Sequence, residues 1–205
     1  MFFISYGTKT KPSISNFNLK QSKYNHLYVL SSTLIESVTS LIIKDSHKNV
    51  PWILFLPMLF LFELFLDFFH YTFHRMLHSK YLYFIHKTHH YYQNPRIINT
   101  YYHNPLDLII TISIPTLISL YMLYYTFTSY QIQLVMVYKS FIEISGHSGK
   151  YKLSSSFPLC IWIPRILGIE LYTEDHHLHH SQNNCNYSKR FSIWDKLFGT
   201  YCKLN

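Results

Sequence analysis

The sequence contains no alanine, five glycines and three cysteines, and only 14% of its 205 residues are charged. Soluble domains usually carry roughly 25% charged residues, so an ordinary soluble enzyme is not expected. Cys160, Cys185 and Cys202 form no CxxC pair. That excludes a disulfide-stapled scaffold and a cysteine-based zinc finger. No GxGxxG occurs, so no dinucleotide-binding turn is encoded, and no CxxCH is present to attach haem. The missing alanine accompanies a richness in Asn, Lys, Tyr and Ile and reads as the codon bias of an AT-rich genome. Disorder is excluded by 48% apolar and 19% aromatic residues. The stretch from Met1 to Lys23 is polar and lacks the apolar core of a secretory signal.

Cations and histidines are what the chain has in excess. The net charge is +8. The cations flank apolar runs and form no basic stripe, so a lipid surface is the expected partner and nucleic acid is not. The longest charge-free stretch, Leu108 to Tyr138, is too long for one span of a hydrocarbon core of roughly 30 Å. Thr128 to Gln131 offers a turn, which predicts a hairpin of helices at about 106–127 and 132–146. A third span is expected at about 50–69 and a fourth at 27–43. The expected fold is therefore an all-α integral membrane protein with about four transmembrane helices. Residues 1–49 form an N-terminal region with the first membrane helix. Residues 50–205 form one domain, of which 147–205 is a cap outside the lipid.

Parity puts every histidine cluster on one face of the membrane. That face also holds Arg75, Lys80, Lys87, Arg96, Lys150, Lys152, Arg165, Lys189, Arg190, Lys196 and Lys203, and the hairpin tip holds no cation. By the positive-inside rule the histidine face is cytoplasmic. The sequon Asn186-Tyr187-Ser188 is then expected to stay unglycosylated.

Three motifs carry the chemistry. His74 and His78 form HxxxH; His86, His89 and His90 form HxxHH; His176, His179 and His180 form a second HxxHH. Residues at i, i+3 and i+4 share a helix face, so each motif gathers imidazoles. His103 and His147 lie at the mouths of spans on the same face and bring the candidate ligands to ten. Neutral imidazole suits iron, zinc, copper and nickel. Ten histidines are too many for two four-coordinate zinc sites, whereas two irons with about five imidazoles each leave positions open. Glu63, Asp67, His70, His74 and His78 form one helical stripe; Lys139, Glu143 and His147 form another. Asp67 and Glu143 are candidates to accept the second N–H of ligand histidines. His70 and His177 are expected beside the ligands, and His26 and His47 away from the site. A membrane metal transporter or buffer would use the same residues, but its ligands belong near the bilayer midplane.

The sequence resembles the fatty acid hydroxylase superfamily, also called the sterol desaturase family, from about Leu66 to Tyr201. The likeness rests on DFFHYTFHRMLH at 67–78, HKTHH at 86–90, YYHNPLD around His103, GHSG around His147 and the closing HHLHHSQNNCNYSKRFSIWDKLFGT. The HYxxHR and HSG pieces are most similar to the C-4 methylsterol oxidase branch, and the last motif also to cholesterol 25-hydroxylase. Two positions differ: His177 stands where an acidic residue is common, and Asn104 separates His103 from Pro105. The resemblance implies a di-iron enzyme of the endoplasmic reticulum. It implies O2 and electrons from cytochrome b5, or a similar carrier with its reductase, used to hydroxylate or desaturate a sterol or fatty acyl lipid. A catalytically inactive relative is the other reading of the same motifs.

Overall fold

The computed structural model of the chain describes residues 19–42, 50–91, 100–123, 126–147, 153–154 and 156–203. His47, Arg96, Lys150 and Lys152 lie outside the described residues. The described part is mostly helical and contains no strand, only an isolated bridge between Ser154 and Tyr172.

Helix α1 runs from Leu19 to Ile42 and helix α2 from Phe55 to Leu77, the latter led in by a 3-10 turn at Trp52–Leu54. Pro51 and Pro57 do not break this element. Both fall at its start, where a missing N–H costs no helical bond. The span expected at 50–69 therefore continues through HxxxH, and His74 and His78 sit at its C-terminal end. Trp52–Leu77 and Pro105–Met122 are long and apolar enough to cross a bilayer.

The second of these is composite: α4 (Pro105–Leu108), a π-turn at Ile109–Ser113, and α5 (Ile114–Met122). Asn104 caps it, its side chain accepting from Leu106 N at 3.0 Å, with Pro105 in the first helical position. Pro115 has no N–H for the carbonyl of Thr111, one turn earlier. His70 Nδ1 donates to that carbonyl at 2.7 Å. A proline in one helix thus creates the acceptor that orients a histidine of another.

Helix α6 spans Ser129–Gly146 and starts in a capping box: Gln131 N donates to Thr128 Oγ1 at 3.2 Å and Thr128 N to Gln131 Oε1 at 2.9 Å. The turn expected at Thr128 is therefore present, although the preceding helix already ends at Met122. Helices α1 and α6 are joined at depth by Lys139, 1% exposed, whose Nζ lies 2.8 and 3.0 Å from the Glu36 carboxylate.

The apolar core joins the first half of α2 (Leu59, Phe62, Leu66) to Leu120, Leu123, Phe127 and the start of α6. Beyond it the interior becomes polar. Arg190 is buried between Glu63 and Glu143 at 3.4 and 3.1 Å, and Lys189 pairs with Glu143. Asp67 accepts the backbone N–H groups of Lys189, Arg190 and Phe191 at 2.7 to 2.9 Å. The C-terminal segment is thereby fastened to α2 and α6. Two cations that the charge count assigned to the membrane face, Lys189 and Arg190, are spent on internal pairs.

Candidate metal centre

Short elements carry the remaining histidines. Helix α3 covers Tyr83–His86, and a 3-10 turn covers His89–Tyr91. Beyond α7 (Trp162–Ile166), helix α8 covers Thr173–Gln182, opened by Asp175 accepting from Tyr172 N at 2.9 Å. It is ended by Asn183 in the left-handed region, φ 62°. Helix α9, Ile193–Leu197, follows.

These elements, the end of α2 and the end of α6, where His147 stands, bring nine imidazoles into two groups. The first contains His74, His78, His86, His90 and His179; the second contains His89, His147, His176 and His180. Within each group the ligand-competent atoms lie within 4.8 Å of one another. Each HxxHH motif is divided between the groups. Successive residues point about 100° apart on a helical turn. His90 therefore faces the first group and His89 the second, and His179 and His180 part in the same way. The groups are neighbours: the His90 and His180 rings stand 4.8 Å apart.

The outer hydrogen bonds decide what the rings present inward. His74 Nδ1 faces the carbonyl of Tyr187 at 2.8 Å, His179 Nδ1 that of Cys185 at 2.6 Å, and His147 Nδ1 that of Glu143 at 3.0 Å. His86 Nδ1 faces Asp107 Oδ1 at 2.7 Å. Carbonyl and carboxylate oxygens only accept, so each Nδ1 carries the proton and each Nε2 keeps a bare lone pair. Burial disfavours the charged form of several of the clustered rings. It lowers His78 and His147 to about 3 and His90 to about 2, with neighbouring imidazoles adding to the effect. His89, His176, His179 and His180 are also held well below the usual histidine range, first by burial.

The Nε2 atoms of the two groups converge. His74 and His86 place their Nε2 atoms 2.9 Å apart; His78 and His86 each stand 3.1 Å from His90 Nε2, and His179 stands 3.2 Å from it. In the second group His176 Nε2 lies 3.3 Å from His147 Nε2 and 3.1 Å from His180 Nε2. The bare lone pairs of His74 and His86, 2.9 Å apart, repel, and a shared cation removes the repulsion. Two nitrogens bound about 2.1 Å from one ion at right angles are about 3.0 Å apart. The donor set and its spacing thus fit a metal ion in each group, and five donors in the first exceed a tetrahedral site.

The family model described as fatty acid hydroxylase matches residues 59–200, a stretch that contains every one of these histidines. The chain belongs to the fatty acid hydroxylase family. It is 34% identical over 157 residues to fatty acid hydroxylase vlmA of Lecanicillium sp, an alignment covering 73% of this chain and 43% of that protein. It is 33% identical over 140 residues to methylsterol monooxygenase 1 of Rattus norvegicus, covering 65% and 43%. It is 30% identical over 141 residues to C-4 methylsterol oxidase erg25 of Schizosaccharomyces pombe, also covering 65% and 43%. The chain spans less than half the length of these relatives. No solved structure matches.

The closing motif of this fatty acid hydroxylase family member has a structural explanation. Asp195 accepts from Tyr187 N and Ser188 N, both at 2.8 Å, and from Thr200 Oγ1 at 2.8 Å. Gly199, at φ 69°, permits the turn that brings Thr200 back. Asp195 thereby holds the Tyr187 carbonyl against His74.

The other candidates have defined places. His103 turns one nitrogen to Asp107 Oδ2 at 3.0 Å and the other to the Thr100 carbonyl at 3.1 Å. It stands outside both groups, stacked on His89 at 4.2 Å. His70 lies beside His74 and outside both groups, and His177 is half-buried on α8. The carboxylates of Asp67 and Glu143 serve the C-terminal amides and cations. From Glu143, it is the backbone carbonyl that takes a histidine N–H. The carboxylate that does orient a clustered histidine is Asp107, fully buried, which sequence reasoning missed. Its position four residues after His103, one helical turn away, was the available signal.

Proposed function

We propose that the chain is a membrane di-iron oxidoreductase that uses O2 and external electrons to hydroxylate or desaturate a lipid, either a sterol or a fatty acyl chain. The observation that carries this reading is the pair of adjacent imidazole groups with converging Nε2 atoms. His74, His78, His86, His90 and His179 would hold one iron, and His89, His147, His176 and His180 the other. When bound, the metals supply the O2 activation and electron chemistry that no side chain possesses.

The chain's own residues prepare that chemistry. Asp107 and the carbonyls of Tyr187, Cys185 and Glu143 keep the ring protons outward. Burial removes water from the groups, and neutral imidazole is the form that binds metal. Hydroxylation consumes the substrate C–H, one O2, two electrons and two protons, and yields the alcohol and water. Desaturation removes two hydrogens from the substrate and sends both oxygen atoms to water. The names of the relatives support a sterol or acyl substrate.

Four membrane helices are part of the proposal: α1, α2, the composite α4–α5, and α6. In support, α1 bears an outward stripe of Leu27, Leu30, Leu34, Val38 and Leu41, each more than half exposed. On α6, Val137 and Phe141 are 69% and 63% exposed. The histidine end would face the cytoplasm of the endoplasmic reticulum, where exposed Arg75, Lys80 and Lys87 suit an acidic carrier such as cytochrome b5.

The test is metal analysis followed by turnover. Purified protein should contain two irons per chain and convert a sterol or acyl lipid when given O2, cytochrome b5 and its reductase. Folded protein that takes up no metal, or turnover with NADH or NADPH alone and no carrier, overturns the reading.

A further inference from the structure

The loop between Ser154 and Tyr172 has a closed neck. The Ser154–Tyr172 bridge, Thr173 N donating to Leu153 O at 3.0 Å and Leu171 N donating to Ser156 Oγ at 2.7 Å hold its two ends together. The neck adjoins α8 and so lies at the level of the histidines. The loop leaves that level. Phe157 is buried and packs edge-to-face on Phe60 of α2, ring centroids 5.1 Å apart, and Cys160 and Ile163 pack on the same apolar core. At 1.5 Å per residue, Phe60 stands about 21 Å from His74 along α2. The segment 157–167 therefore lies beside the apolar half of the helix, far from the polar end.

Its outward side is apolar. Leu159, Trp162, Ile166 and Leu167 are 54%, 60%, 75% and 58% exposed. The single charge in FPLCIWIPRIL is Arg165, bent sideways to Glu170 at 3.3 Å. Three amides of the loop are paired locally, Cys160 N, Arg165 N and Leu167 N donating to the carbonyls of Phe157, Ile161 and Ile163, and Pro158 and Pro164 carry no N–H to pair. Non-helical backbone survives at membrane depth only when its polar groups are paired. A cationic edge marks the upper limit: exposed Lys196 of α9 donates to the Gly168 carbonyl at 2.6 Å, near exposed Leu197.

We infer that residues 157–167 form a re-entrant loop covered by the acyl chains of the bilayer. The apolar side of the loop continues the lipid-facing flank of α2, while Arg165 and Lys196 lie at headgroup level. The loop is thus not part of a water-exposed cap. The inference rests on α2 spanning the membrane, as in the function proposed above.

The chain has three tryptophans, and two report the two questions separately. Full-length protein is reconstituted in phosphatidylcholine vesicles with or without acyl-chain bromines. The emission lost in Trp162→Phe reports the loop, and that lost in Trp52→Phe reports the start of the α2 span. The expected result is that acyl bromines quench both components and that iodide in the water quenches the Trp162 component little. If the Trp52 component is quenched by bromines and the Trp162 component by iodide, the loop lies in water and the inference fails while the span stands. If neither is quenched by bromines, the span itself fails. Protection of Trp162 from both quenchers would put a second protein chain over the loop and also overturn the inference.

Discussion

Asp107 receives the Nδ1–H of His86 on one carboxylate oxygen at 2.7 Å and faces Nδ1 of His103 with the other at 3.0 Å. One buried carboxylate thereby orients a ring of the five-histidine group and, through the stack of His103 on His89, a ring of the four-histidine group. Replacing such an outer partner typically costs 10–100-fold in metal affinity or activity. Asp107→Asn keeps the shape and one acceptor oxygen but removes the charge. Iron affinity and turnover should fall by roughly that factor, with the helical content unchanged by circular dichroism.

Single removal of His86, His89 or His179 should abolish turnover while leaving membrane insertion intact, measured by product formation and by carbonate extraction. His103→Ala should leave iron bound but reduce turnover, because His103 stands outside both groups. His26, exposed on α1, should tolerate alanine with a stability change within about 0.5 kcal/mol.

Arg190 is the largest of the fully buried side chains and bridges Glu63 to Glu143. Arg190→Met takes the paired cation from the buried Glu63 carboxylate and leaves Glu143 with Lys189 alone. Breaking a buried pair from one side costs about 3–5 kcal/mol. The variant is expected to lose that much stability in denaturant titrations in detergent. The double change of Arg190→Met with Glu63→Gln should recover part of the loss.

Acid should weaken the metal-free fold. Burial lowers His78 and His147 to about 3 in the folded chain, against about 6.5 when unfolded. Between those values the unfolded chain binds more protons, so stability rises with pH and is lost as pH falls below about 6.5. The denaturation midpoint of iron-stripped protein should be lower at about pH 5 than at about pH 7.5. Iron loading should blunt the difference, because bound metal competes with protons for the same Nε2 atoms.

Asn186 changes the design of a topology experiment. Its side chain donates to the carbonyls of Asp175 and Cys202 and accepts from Cys202 N, and the residue is fully buried. In the folded chain the sequon is buried, so its remaining bare does not by itself report orientation. A sequon placed in a lengthened loop beside Ser129 is the informative probe. With the histidine face cytoplasmic, that loop should gain a sugar, seen as an endoglycosidase-sensitive mass shift.

Much of the site was legible in the sequence because ligand chemistry and helical spacing are local. HxxxH and the two HxxHH motifs put eight histidines in view, and all eight enter the two groups; charge-free length and the Thr128 turn announced the helix pair. Four properties depended on the tertiary structure. The motifs could not show that neighbours such as His89 and His90 divide between two groups, since that depends on where other helices stand. Nor could spacing reveal that Asp107, and not Asp67, orients a clustered histidine, because hydrogen-bond partners across helices are set by packing. The free carbonyl of Thr111 exists because Pro115 cannot bond it, and only the approach of α2 gives it His70 as a partner. Likewise FPLCIWIPRIL reads as an unremarkable apolar stretch, and its contact with Phe60 is what sets it beside α2. Composition and period fix which side chains are present and which face they share, whereas burial, sidedness and pairing arise between elements distant in sequence.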